Sequence, residues 1–527
     1  MPRPAAWPNA MRRTKRKNRN PRLNFTPSIQ FRMQNPNPAP LTRRDFLRST
    51  ALAAAGLGAA PSLFAAGRRG RALGPNDEIG VAVVGFHGQG GSHINSLTKL
   101  REAGEKVRIV ALCDVDSEVL ARGVKQFADR GQPVQGYRDL RALLEDPRVD
   151  ALSIATPNHW HALATIWACQ AGKDVYVEKP VSHNVWEGRK MVEAARRYNR
   201  IVQTGTQSRS SRQGIAAAVQ WVRAGHLGKI RVARGICYKR RDSIGKVDGP
   251  QPIPPEVDYD LWCGPAPKDP LMRKRLHYDW HWVWPTGNGD LGNQGIHEMD
   301  VARWFLGVMA LSPRVFAVGG RLGYVDDGTT PNTLVIYHDY PGAPLIFEVR
   351  GLPTAKGAKD MDRYRGVQIG IVIECEGGYV AVPDYNSATA YDWNGKEIRK
   401  WSGSESHHGN FLKAVRSRKV ADLHADILEG HLSSALCHTG NISYRLGRQL
   451  PPEVIRDQIA ADSGALEACE RAYEHLRANE VDLRATPATL GVVLRMDPKT
   501  ERFLDNRLAN HLLTRAYRKP FVVPEKV

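Results

Sequence analysis

The sequence predicts an α/β protein in two parts: an N-terminal doubly wound parallel sheet, then an α+β domain with a mainly antiparallel open sheet. Three observations predict it. A short apolar strand, Ile79–Val84, runs straight into a glycine-rich turn and a helix. Apolar strands and helices then alternate as far as residue 177, the rhythm of parallel strands joined by crossover helices. After Ile201, one helix is followed by a succession of strands with few helices between them.

In the first part, the turn after Ile79–Val84 reads Gly85-Phe86-His87-Gly88-Gln89-Gly90-Gly91, and helix 92–100 follows. A strand, a glycine turn and a helix start aim backbone N–H groups at a pyrophosphate. Gly85 and Gly90 fit the G-x-G-x-x-G template, but its middle position is His87, with Gly88 beside it. The next strand, Val107–Cys113, ends at Asp114. A carboxylate there accepts both ribose hydroxyls and repels a 2′-phosphate, which favours NAD over NADP. The competing reading of Asp114 is a cap on the following helix.

Helix 139–145 leads to strand 149–155, which ends at Thr156-Pro157-Asn158-His159-Trp160-His161. Helix 161–171 and strand Asp174–Val177 end at Glu178-Lys179-Pro180. Residues 74–203 therefore read as a Rossmann domain with ligands at the strand C-termini. A Lys fixed by Pro180 at such a strand end faces the crevice, where its ammonium can polarise or protonate an oxygen. The plainer alternative is a Glu178–Lys179 pair closing a strand.

Residues 204–450 form the predicted α+β domain. A helix at 214–224 precedes strands at 230–237, 315–319, 332–337, 344–350, 367–375 and 379–382. Gln207, just after the segment that opens this part, is a candidate substrate contact. The segment Trp280-His281-Trp282-Val283-Trp284 leads to Asn293-Gln294-Gly295-Ile296-His297, and helical periodicity runs on through Phe305. His297 and Asp300, three apart, share one face of that helix. A neutral imidazole can remove a proton from an alcohol, and Asp300 can orient the ring or bind substrate; the alternative for His297 is a capping or core histidine. Trp282 and its neighbours offer a stacking face for sugar C–H groups, or else they are packing. Amphipathic helices across 408–446 are expected to lie against the Rossmann domain, and 451–527 to form a C-terminal extension packed on the body.

No metal site is expected. His159 with His161, and His407 with His408, have no Cys or carboxylate at ligand spacing. The seven cysteines are scattered and odd in number, which suits buried free thiols.

The formal charge of +21 does not imply a nucleic-acid partner. Residues 1–44 hold eleven Lys or Arg and no acid, and Arg68, Arg69 and Arg71 add three, leaving +7 after Gly74. No nucleic-acid motif accompanies the excess. It belongs to a leader, residues 1–73. Thr42-Arg43-Arg44-Asp45-Phe46-Leu47 resembles a twin-arginine export signal, and the apolar run 51–66 is short for a spanning helix and suited to a signal. The expectation is export in the folded state through the twin-arginine machinery, to the periplasm or to a membrane tether. Residues 1–40, rich in Pro, Asn and Arg, read as disordered, with Met33 the expected start.

The glycine turn, Asp114, Thr156-Pro157-Asn158 with His161, and Glu178-Lys179-Pro180 resemble the Gfo/Idh/MocA family in order and spacing. The resemblance implies an NAD-dependent oxidoreductase of a sugar, sugar acid or cyclitol, with Lys179 beside nicotinamide and substrate, His161 by the cofactor, and His297 as the catalytic His. It also implies a homo-oligomer. One departure stands out: Asn293 occupies the position, four residues before the His, where many members carry Asp. An amide binds a hydroxyl but cannot shuttle a proton. Export leaves a second reading open, in which tightly held NAD is recycled within each turnover by a glycosidase, lyase or internal oxidoreductase. A third is a non-catalytic carbohydrate-binding paralogue.

Overall fold

The structure, a computed structural model, describes Gly74 and residues 77–527. The twin-arginine segment, the apolar run 51–66 and Met33 lie outside the described residues.

Ile79–Val84 (β1), Val107–Cys113 (β2), Gln135–Tyr137 (β3), Ala151–Ile154 (β4), Asp174–Val177 (β5) and Val202–Thr204 (β6) form one sheet. Its order is β3-β2-β1-β4-β5-β6, and every neighbouring pair is parallel. Helices Gln89–Glu102 (α1), Ser117–Asp129 (α2), Leu140–Leu144 (α3), Asn158–Gln170 (α4) and Val185–Arg197 (α5) connect the strands. β1, β4 and β5 are buried along their whole length, because helices cover both faces. The chain reverses direction across the sheet between β1 and β4, which opens a crevice beyond the strand C-termini.

The second part begins with Ala217–Arg223 (α6), Ile230–Tyr238 (β7), Tyr259–Cys263 (α7) and Ile296–Leu306 (α8). Strands Arg314–Gly320 (β8), Thr333–Asp339 (β9), Leu345–Arg350 (β10), Ile369–Cys375 (β11), Gly378–Val382 (β12), Ser387–Tyr391 (β13) and Glu397–Ser402 (β14) follow. They pair in the order β14-β13-β12-β11-β7-β10-β9-β8, antiparallel except for β7 with β10.

Alternation along β8–β10 sends apolar side chains to both faces. On one, Val315, Ile336 and Phe347 meet Met299 and Phe305 of α8. On the other, Phe316, Val335 and Ile346 meet Ile455 of Pro452–Ile459 and Cys469, Tyr473 and Leu476 of Ser463–Ala478. This second face is thus covered here by the chain's own C-terminal extension. Each such large side chain gains about 1.5–3 kcal/mol by that burial.

The same extension supplies Leu494–Asp497, which pairs with β8, and returns Phe521 to the Rossmann core against Trp160. Helix His407–Ser417 packs on the Rossmann sheet, and Ile427–Arg445 lies between the two sheets. The first buries Phe411, Leu412 and Val415 among Ile79, Val81 and Tyr176. The second places Ile427 in the Rossmann core and Leu432 and Leu436 in the other. All seven cysteines are buried and free.

Candidate active site

A cavity of about 500 Å³ fills the crevice at the C-terminal ends of β1, β2, β4 and β5. Its glycine wall needs glycine for two reasons. Gly85 has φ +74°, and a Cβ on it would lie 2.9 Å from Thr156 Cα. A Cβ on Gly90 would lie 2.2 Å from the Gly85 carbonyl oxygen, so Gly90 closes the turn from behind and does not line the cavity. At Gly88 a Cβ would meet nothing within 4 Å, leaving backbone open to the cavity.

Asp114 accepts N–H bonds from Phe86 at 3.0 Å and from Asp116 at 3.1 Å, which fix its carboxylate beside the turn. Burial pushes its pKa up. The cap of α2 is Asp116, which accepts from Glu118 and Val119.

On the other side of the crevice, the His161 ring spans the strand ends, with Nδ1 2.6 Å from the Pro180 carbonyl and Nε2 2.7 Å from that of Thr156. Both nitrogens face main-chain carbonyls, one of which accepts the ring N–H, so His161 shapes the wall. The buried Glu178 carboxylate lies 3.1 Å from His93 Nε2 and accepts from Gln207 Nε2 at 3.2 Å. Against its burial, the His93 contact and the neighbouring Lys179 ammonium hold it well below the usual carboxylate range. Lys179 Nζ reaches across to donate to the Asn293 carbonyl at 3.0 Å. Asn293 lies in a wide π-type turn, Leu291–Gly295, that opens into α8.

His297, the second residue of α8, is buried behind this wall. Its Nδ1 has no hydrogen-bond partner among the described residues, and its ring centroid is 4.9 Å from that of Tyr385. It does not line the cavity itself; with Ser208, Glu298 and Tyr385 it lines a separate small pocket. Burial, reinforced by the Lys179 charge, lowers its pKa to about 3, so the ring is neutral.

Residues 79–206 match the Gfo/Idh/MocA model described as an oxidoreductase family, NAD-binding Rossmann fold, and 224–348 match its C-terminal alpha/beta domain. Residues 79–206 are thus a Gfo/Idh/MocA-type Rossmann domain that binds NAD, and residues 224–348 are similar to that family's C-terminal domain. Similar proteins include a glycosyl hydrolase family 109 protein of Shewanella pealeana, 30% identical over 177 residues, 30% of this chain and 37% of that protein. Levoglucosan dehydrogenase of Pseudarthrobacter phenanthrenivorans is 25% identical over 254 residues, 48% of this chain and 53% of that protein. The chain thus spans about half or less of the length of these curated relatives. A levoglucosan dehydrogenase solved with NADH shares the fold, with TM-score 0.52 at 16% identity over 68% of this chain and 95% of that one.

The cavity suits the Gfo/Idh/MocA cofactor. Asp114 lines the ribose end, Gly85, His87, Gly88 and Gln89 the middle, where a pyrophosphate belongs, and Thr156, Pro157, Asn158, Glu178 and Lys179 the far end beyond β4 and β5.

Three predicted substrate contacts are placed elsewhere. Asp300 is buried, its carboxylate held by Arg209 at 2.8 and 2.9 Å and by the Ser433 hydroxyl at 2.6 Å. Trp282 is buried under the Arg241 guanidinium and is packing. The Gln207 amide is spent on Glu178 and the Tyr176 hydroxyl. Asn293 does face the cavity, but the group that meets Lys179 is its main-chain carbonyl, not its amide.

Of the Trp cluster read as a stacking face, Trp280 does line the roof of the cavity; sequence reasoning missed its companions. Trp262, His277, Tyr278, Trp280 and His281 line the cavity from the second domain. The segment is docked on the β2–α2 loop: Ser117 N–H donates to the Glu256 carbonyl at 3.0 Å, and Asp258 N–H to that of Val115 at 3.1 Å. A signal was present in the His and Tyr residues flanking the Trp cluster.

Proposed function

We propose that this protein is an NAD-dependent dehydrogenase acting on a hydroxyl carbon of a sugar, sugar acid or cyclitol. The observation that carries the reading is the approach of Lys179 Nζ to the Asn293 carbonyl at the end of β5, with neutral His297 on the following turn. Bound NAD supplies the hydride acceptor. Lys179, one donor spent on Asn293, has others to hold the substrate oxygen and stabilise its charge as the proton leaves. His297 is in the form that accepts a proton. Tyr278 and Trp280 in the roof give apolar faces for sugar C–H groups. NADH formation over a panel of such substrates is the test. The wild type turns over and Lys179→Met does not; equal turnover by both sinks the assignment.

A second reading has its own support, the docked roof and the glycosyl hydrolase relative. In it NAD stays bound and is restored within each cycle. Stoichiometric NAD surviving dialysis, with product formed and no net NADH, selects this reading; freely exchanging NAD rejects it. A non-catalytic paralogue would show neither form of turnover.

We also propose twin-arginine export of the folded protein, on the strength of Arg43-Arg44 and the apolar run 51–66. Replacing both arginines by lysine is expected to trap the precursor inside the cell, and undiminished export would reject the signal. Copies of the chain are proposed to pair through the β12–β14 end of the second sheet, where Trp393 is exposed; a monomer in light scattering rejects that.

A further inference from the structure

We propose that His87, Asp116 and His277 form a binding site for a divalent cation of the zinc class, which clasps the roof of the crevice to the glycine turn. The three come from separate segments: the turn after β1, the loop after β2, and the roof. One ligand atom from each lies within 4.8 Å of the other two. The imidazoles stack with centroids 4.3 Å apart and planes 19° from parallel, and His277 Nε2 is 3.7 Å from Asp116 Oδ2.

Four features make this a ligand set and not a chance stack. Neither imidazole has a hydrogen-bond partner among the described residues, so its nitrogens are available. Asp116 is already oriented, because Oδ1 accepts the Glu118 and Val119 N–H groups at 3.0 and 2.9 Å and Oδ2 is left toward His277. His87 is exposed, which allows its side chain to close and water to take a fourth position. Ligand atoms about 2.0–2.1 Å from a tetrahedral zinc stand roughly 3.4 Å apart, so closure takes about 1 Å of side-chain movement.

Two imidazoles and one carboxylate select zinc, cobalt or nickel over magnesium or calcium, which prefer all-oxygen shells. Local ligand spacing could not reveal the site, since His87 and His277 are far apart in the sequence. The consequence is mechanical. His87 lines the cavity from the glycine turn and His277 from the roof, so a cation joining them restrains the roof and slows dinucleotide exchange.

The full chain, stripped with EDTA, is to be titrated with Co²⁺ and then Zn²⁺. One equivalent is expected, with the visible bands of tetrahedral Co²⁺ lost on Zn²⁺ addition. His87→Ala and His277→Ala should each weaken binding about tenfold or more, and Asp116→Asn should do so while keeping the α2 cap. Circular dichroism checks that each variant is folded. The absence of a saturable single equivalent, or wild-type affinity in folded His277→Ala, overturns the site. NADH release followed by its fluorescence should slow severalfold with Zn²⁺ in the wild type and not in His277→Ala; zinc-independent release overturns the clasp. The release arm rests on NAD binding in this crevice and the metal titration does not, so the two failures are distinguishable.

Discussion

Lys179 Nζ and the Asn293 main-chain carbonyl are 3.0 Å apart, a contact that fixes the ammonium without using the Asn293 side chain. The two residues should therefore behave differently when replaced. Lys179→Met is expected to lower kcat by about 100- to 10,000-fold while NADH binding by fluorescence changes little. Asn293→Ala should keep the carbonyl, and hence Lys179, and should raise KM more than it lowers kcat. A kcat loss in Asn293→Ala as deep as that of Lys179→Met would put the amide in the chemistry.

His297 is pushed down to about 3 by burial and the nearby Lys179 charge. A base works deprotonated, so activity that depends on it is lost only as pH falls toward that value. The kcat/KM profile should therefore show no acid limb near 6.5, the ordinary histidine value. A limb near 6.5 in the wild type that disappears in His297→Gln would mean the ring titrates as an exposed histidine does.

How much of this was legible in sequence depended on whether the deciding neighbours were local. β1, β2 and β5 have the bounds their apolar runs predict, because burial leaves only Arg108 near the start of β2 and Asp174 at the start of β5 as polar breaks. β14 was invisible: Glu397-Ile398-Arg399-Lys400 is an exposed, charged edge strand, and β13 beside it is built mostly of small residues. At the site, Lys179 was legible because a strand end fixes where its side chain goes. Asp300 was misread because helical spacing gives its face but not its partner, and Arg209 is 91 residues away. The rest of the roof escaped because its position depends on backbone bonds between the β2–α2 loop and residues 256–258.

Asp114 and Arg138 line the same cavity, one repelling a 2′-phosphate and the other able to receive it. Asp114→Ser removes the repulsion and leaves the guanidinium. The ratio of kcat/KM for NADP over NAD should rise about 10- to 100-fold, corresponding to about 1–3 kcal/mol. An unchanged ratio would remove Asp114 from coenzyme selection.

The Arg209–Asp300 pair is buried, with side-chain exposures of 5% and 1%. Asp300→Asn leaves Arg209 and Arg303 facing each other with only Glu429 between them. Breaking such a pair costs about 3–5 kcal/mol, so denaturant unfolding should show a large loss of stability. KM of the surviving folded fraction should stay near wild type. A KM defect with stability intact would restore Asp300 as a substrate contact.

Glu298, next to His297, accepts from Gln294 at 2.9 Å through Oε1, while Oε2 has no hydrogen-bond partner among the described residues. Burial raises its pKa from 4.5 to about 8, so at neutral pH it is a protonated acid inside the fold. The sign for stability follows from proton counting. Between pH 4.5 and about 8 the unfolded chain has released this proton and the folded chain has kept it, so stability falls as pH rises through that window. His297 has the opposite trend, losing stability as pH drops from 6.5 toward 3. Comparing wild type with Glu298→Gln at each pH cancels the histidine. The Gln variant, which never ionises, should match the wild type near pH 5 and exceed it at pH 8, by an amount on the order of a few kcal/mol. A difference that does not change between the two pH values would show that Glu298 is already ionised in the folded protein.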